Sequence, residues 1–97
     1  MRNSLPFPGF RTRFARLRNS PESPHFLAAC LVERRDKAGL RQVDLAKRLR
    51  RSQSYVTYVE TGQKAVDVVE LMEWAEAIGF DPREAIKRLS KFPRAKP

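Results

Sequence analysis

Helix start and stop signals recur so regularly between Ser23 and Leu89 that the chain has little choice of architecture. Ser23 can cap a first helix and Pro24 can open it, since proline lacks only the amide that a first helical position leaves unpaired. Leu27, Leu31 and Ala38 would then face inward, and Gly39 would end the helix. A second helix follows Arg41, with Val43, Leu45, Ala46 and Leu49 as its apolar set. A turn at Arg50 to Ser52 leads to a third, over about Gln53 to Thr61, which stops at Gly62. Asp67 and Glu70 have capping-box spacing for a fourth helix carrying Leu71, Ala75 and Ile78 on one face and ending at Gly79. Asp81, Pro82 and Glu84 repeat the start signal for a fifth, with Ala85, Ile86 and Leu89 as its apolar residues. Nowhere do apolar and polar residues alternate as a half-buried strand requires. The expectation is all-α: a compact five-helix domain over residues 24–91, preceded by a basic arm at 1–23 and followed by a short basic tail at 92–97.

Charge narrows what such a domain can meet. Lys and Arg number 20 against 11 Asp and Glu, a net +9 on 97 residues. Residues 1–24 hold five arginines and one glutamate, +4; residues 25–64 hold nine basic and four acidic groups, +5; residues 65–97 hold six of each. The excess therefore sits in the first two-thirds, which points to a polyanionic partner, nucleic acid before an anionic membrane surface. No apolar run reaches the roughly 18 residues of a membrane span. The opening MRNSLPFPGF has no continuous apolar stretch of the secretory kind. One cysteine builds no internal disulfide framework, which suits a reducing, cytoplasmic setting.

Chemistry-bearing clusters are few. His25 has no second histidine, and Cys30 lies about 140° further round the same helix, so no metal is expected and Cys30 reads as a small core residue. No nucleophile–base pair, glycine-rich phosphate loop or paired carboxylates occur, so neither an enzyme nor a cofactor is expected. Glu70, Glu73 and Glu76 read as a solvated helix face, and Trp74 as core, with coverage of a partner as its other role. Of Arg34 and Arg35, one is expected to be structural and the other to face solvent or phosphate. In the arm, Phe10, Phe14 and Leu17 fall on one side of a hypothetical helix with arginines around the rest, a pattern that chance alone can produce in so short a stretch.

The segment Gln42 to Thr61, two helices of about eight residues joined by a short turn, has the shape of a helix-turn-helix. At about 100° per residue, Gln53, Ser54, Thr57, Tyr58 and Thr61 share one side of the third helix, while Ser52, Tyr55, Val56 and Val59 share the other. A buried helix has no need of clustered Gln, Ser, Thr and Tyr, and a merely solvated face more often carries Lys and Glu. Glutamine is also the side chain whose amide pairs bidentately with adenine in the major groove. Arg41, Lys47, Arg48, Arg50, Arg51 and Lys64 surround this face with the charge that phosphate flanks require.

Over residues 27–89 the chain resembles the Xre-type (Cro/phage-repressor-like) helix-turn-helix family. The resemblance is carried by Arg35 four before Gly39, Gly39-Leu40-x-Gln42, Leu45-Ala46, Ser52-Gln53-Ser54, Val56, Val59-Glu60 with Gly62, and Ala77-Ile78-Gly79, all in register. It implies that Gln42 touches backbone phosphate, that Gln53, Ser54, Thr57 and Tyr58 face base edges, and that Lys64 lies beside the backbone. It further implies that Ala46 lets two helices cross closely and that Arg35 and Glu60 form an ion pair. Glu60 falls at the border of the polar side, where an inward role fits independently. Two residues depart from the family: its turn usually has glycine and then an apolar residue, and here stand Arg50 and Arg51. Either Arg50 adopts positive φ, at a cost of about 1–2 kcal/mol, or the second helix runs on and the turn differs.

The function expected from the resemblance is a sequence-specific double-stranded DNA-binding transcriptional regulator of bacterial or prophage type. A lone unit of this size reads few base pairs, so a homodimer on a palindromic operator is expected, its contacts coming from the fifth helix, from Trp74 or Phe92, or from the arm. The alternative is an antitoxin whose arm neutralises a toxin partner while the same helix-turn-helix regulates its operon. No membrane partner is expected.

Overall fold

A computed structural model describes residues 22–91, with side chains from residue 25 onward. The expected arm helix around Phe10 to Leu17, and Phe92 with the rest of the tail, lie outside the described residues. Five helices follow one another: α1 (Glu22–Lys37), α2 (Gln42–Leu49), α3 (Gln53–Glu60), α4 (Val68–Ile78) and α5 (Pro82–Ser90). No strand occurs among the described residues.

The first start signal is displaced, since α1 already begins at Glu22 and takes Ser23 and Pro24 into its first turn, not as cap and first position; the later signals act as their chemistry requires. Ser52 caps α3, its Oγ accepting from the Tyr55 amide at 3.1 Å. Asp67 and Glu70 close a reciprocal capping box on α4: the Asp67 carboxylate accepts from the Glu70 amide at 2.7 Å, and the Glu70 carboxylate accepts from the Asp67 amide at 3.0 Å. Asp81 caps α5 through the Arg83 amide, with Pro82 at the first helical position.

The core is one cluster to which every helix contributes: Leu31 from α1, Leu45 and Ala46 from α2, Val56 and Val59 from α3, Leu71, Trp74 and Ile78 from α4, and Ala85 from α5. Trp74 is wholly buried, and truncating such a side chain to alanine typically costs about 3–5 kcal/mol. α2 packs on both α3 and α4, while α1 packs on α3, α4 and α5. α3 is thus clamped on its apolar side by α1 and α2, and its other side is left outward.

One inward assignment is corrected, and one apolar residue of α5 stays outside the core. Ala38 lies beyond the end of α1, in the turn to Gly39, and is exposed. Ile86 is 46% exposed, because Ala85 alone from α5 reaches the sealed core and Leu89 is half-buried.

Candidate nucleic-acid interface

The α2–α3 turn is built around a left-handed arginine. Arg50 has φ 59° and ψ 43°, a conformation usually left to glycine. Because of it the Arg51 amide turns back to the Ala46 carbonyl at 3.0 Å, closing the end of α2 as a Schellman motif does. Of the two geometries open from sequence, positive φ is therefore the one found. Position 51 keeps a packing role without an apolar residue, since the Arg51 guanidinium lies 4.4 Å from the centre of the Tyr55 ring.

Val56 and Val59, sealed in the core, fix the rotation of α3. That rotation leaves Gln53, Ser54 and Tyr58 exposed, while Thr57 is half-buried. The difference traces to Gln42 at the start of α2. Its Nε2 donates to Glu60 Oε1 at 2.8 Å, and its Oε1 accepts from Thr57 Oγ1 at 3.1 Å and from Gln53 Nε2 at 3.4 Å. A carboxylate can only accept, so Glu60 fixes which end of the Gln42 amide faces α3. Glu60 is itself held by Arg35 through Nε at 2.6 Å and Nη2 at 3.0 Å, a bidentate pair with side chains 13% and 4% exposed for Arg35 and Glu60. The remaining guanidinium nitrogen of Arg35, Nη1, donates to the Leu40 carbonyl at 2.8 Å. A buried ion pair on α1 and α3 thereby orients two side chains on the outward face of α3, with Gln42 as the link.

A second polar chain lies behind the turn. Trp74 Nε1 donates to the Tyr55 hydroxyl at 3.1 Å, Tyr55 donates to Glu70 Oε2 at 3.0 Å, and Lys64 Nζ pairs with the same carboxylate at 3.3 Å. Glu70 is therefore not on the solvated face expected of it: it is 9% exposed, serving the α4 cap and this chain together. Burial alone would raise its carboxyl, but the bonds from the Asp67 amide, Tyr55 and Lys64 outweigh that and hold it below the ordinary value. Burial pushes the Tyr55 hydroxyl upward, further helped by the Glu70 carboxylate that accepts from it. Glu73 and Glu76 are exposed.

The expected phosphate set divides by engagement. Arg41 grips Asp44 through Nε and Nη2, both at 3.0 Å, and holds that carboxyl down to about 2. Lys64 is tied to Glu70. Among the described residues, Lys47 and Arg50 are exposed and form no ion pair, and the Arg51 side chain meets only the Tyr55 ring. Arg48 has a structural task that its sequence position does not reveal, donating to the Ala77 carbonyl at the end of α4 at 2.7 Å. Both members of Arg34-Arg35 are engaged, not one, since Arg34 pairs with Glu84 and stacks over Phe80. Trp74 is sealed in the core and presents nothing to a partner. Cys30 is a buried core residue, and no group of three His, Cys, Asp or Glu suited to a metal occurs among the described residues. No described helix is long and apolar enough to cross a membrane.

Fold and surface together define a helix-turn-helix domain, and a family model of that description matches residues 27–89. The chain is also similar to a solved structure, an XRE-family like protein from Pseudomonas syringae pv. tomato str. DC3000. The two are 32% identical with a TM-score of 0.69, over 82% of this chain and 95% of that one. No curated protein matches. The chain belongs to the XRE-type helix-turn-helix family, and it is a DNA-binding regulator.

Proposed function

We propose that the protein is a sequence-specific double-stranded DNA-binding transcriptional regulator that lays α3 in the major groove. Gln53, Ser54, Thr57 and Tyr58 face base edges; Gln42, Arg41, Lys47, Arg50, Arg51 and Lys64 serve the phosphate flanks. The observation that supports this best is the outward side of α3. Its exposed side chains are uncharged hydrogen-bonding groups, bordered at the turn by cations that form no ion pair among the described residues. Uncharged groups can choose among base edges, while free cations supply the sequence-independent attraction. Lys47, Arg50 and Arg51 can meet phosphate without losing an ion pair; Arg41 and Lys64 would exchange Asp44 and Glu70 for it. A homodimer on a palindrome follows from the few base pairs that one eight-residue helix can span. The toxin-neutralising alternative rests on residues 10–18, outside the described residues, and no described feature favours it.

Selection of bound fragments from random DNA, repeated with Gln53→Ala, tests the reading. The native chain should enrich a two-fold motif, and the variant should lose preference while keeping salt-sensitive binding. An equal loss on all sequences would remove Gln53 from base readout.

A further inference from the structure

Two cations from opposite ends of α3 meet at one aromatic ring. Arg51 precedes the helix and Lys64 follows it. The Arg51 Cζ nevertheless lies 4.4 Å, and the Lys64 Nζ 5.9 Å, from the centre of the Tyr55 ring, so the two charges stand at most about 10 Å apart. Both backbones are fixed, the Arg51 amide donating to the Ala46 carbonyl at 3.0 Å and the Lys64 amide to the Tyr58 carbonyl at 3.1 Å. The two side chains are long and exposed, and such chains lose rotamer freedom on meeting any partner.

The ring between them is held at its far end. An indole nitrogen only donates, so the Tyr55 hydroxyl accepts from the wholly buried Trp74 at 3.1 Å and turns its own proton to Glu70 Oε2 at 3.0 Å. The face of a tyrosine ring is electron-rich and attracts cations. Glu70 also pairs with Lys64 at 3.3 Å, whereas the Arg51 side chain meets only the ring among the described residues. The fold thus gathers two positive charges about a fixed ring with a single carboxylate beside them, and the spot stays positive and suited to an anion.

We propose that Tyr55 is a positioning residue for DNA binding, its ring holding Arg51 and Lys64 ready for the phosphate backbone and staying in contact with them in the complex. The proposal rests on the phosphate role given to these two cations above. An exposed cation–π contact favours the held rotamers by about two- to fivefold, and each cation should gain that factor in affinity.

Binding of the full chain to a duplex of mixed sequence, read by fluorescence anisotropy, is the test. In the native background Arg51→Ala and Lys64→Ala should each weaken binding about tenfold, the effect of one charge-assisted hydrogen bond. Tyr55→Leu keeps both cations and removes the ring. It should bind about 4- to 25-fold more weakly, and in its background Arg51→Ala should cost about two- to fivefold less than before. Tyr55→Phe keeps the ring and should leave the Arg51→Ala effect at its native size. Helical circular dichroism at the assay temperature checks that each variant is folded. Arg51→Lys, at an exposed turn position, needs no change in the interior: it keeps the charge without the planar stack and should bind about two- to fivefold more weakly. An Arg51→Ala effect unchanged by Tyr55→Leu, or reduced equally by Tyr55→Phe, would overturn the proposal and leave both cations on the phosphate; so would native binding by Arg51→Lys. Native binding by Arg51→Ala and Lys64→Ala would instead remove the phosphate assignment itself, and the role of Tyr55 with it.

Discussion

Replacing Arg50 with glycine should stabilise the domain while weakening its hold on DNA. The residue sits at φ 59° and ψ 43°, which costs a side-chain-bearing residue about 1–2 kcal/mol. Glycine removes that cost but frees the unfolded chain, giving back about 0.4–1 kcal/mol. The net gain lies between about 0 and 1.6 kcal/mol, and its midpoint of about 0.8 corresponds to roughly 3–6 °C in melting temperature for a domain of this size. The Arg50 side chain is exposed and forms no described ion pair, so nothing else in the fold should be lost with it. On DNA, loss of one phosphate contact should flatten the slope of log affinity against log salt by about 0.9. Arg50→Ala separates the two effects: it keeps the left-handed strain and removes the charge, so the slope should fall equally while the melting temperature stays put. Calorimetry and a salt series on all three proteins suffice. A glycine variant less stable than the native protein would refute the strain argument, and an unchanged slope would take Arg50 out of the phosphate set.

Glu60→Ala should be far more damaging, on the order of 3–5 kcal/mol by urea unfolding, because it strands a nearly buried guanidinium; a loss under about 1 kcal/mol would show that Arg35 finds solvent. Glu70 has a carboxyl held below its ordinary value, so its contribution is fully present above the unfolded value of about 4.3 and is lost as pH falls through the lower folded value. Glu70→Gln should therefore be less stable than the native protein at pH 7, with the gap narrowing below about pH 4; a gap independent of pH would contradict the assignment. Arg51→Ala should lower the salt slope by up to about one and cost no more than about 1 kcal/mol of stability, the value of an exposed cation–π contact; a larger loss of stability would give Arg51 a deeper structural role.

Local signals were legible in the sequence and long-range ones were not. Caps at Ser52, Asp67 and Asp81 act within three residues, so spacing alone reveals them, and the five helices follow. The rotation of α3 was legible too, because Val56 and Val59 against Gln53 and Ser54 leave one solution. Glu70 was misread because its partners, Tyr55 and Lys64, come from α3 and the following loop. The double engagement of Arg34 and Arg35 depends on Glu84 and Glu60, fifty and twenty-five residues away. The tie of Lys64 to Glu70 was hidden for the same reason, since that carboxylate arrives only when α4 packs. The link through Gln42 required knowing that the starts of α2 and α3 meet side by side.

That link divides the outward face of α3 into two kinds of position. Gln53 and Thr57 share the Gln42 amide oxygen, whose orientation is set by a buried ion pair, so changing either removes one of the two bonds that this oxygen accepts. Ser54 and Tyr58 have no side-chain hydrogen bond among the described residues. A substitution at Ser54 or Tyr58 therefore leaves the framework untouched, whereas one at Thr57 or Gln42 reaches through the shared amide to the buried Arg35–Glu60 pair.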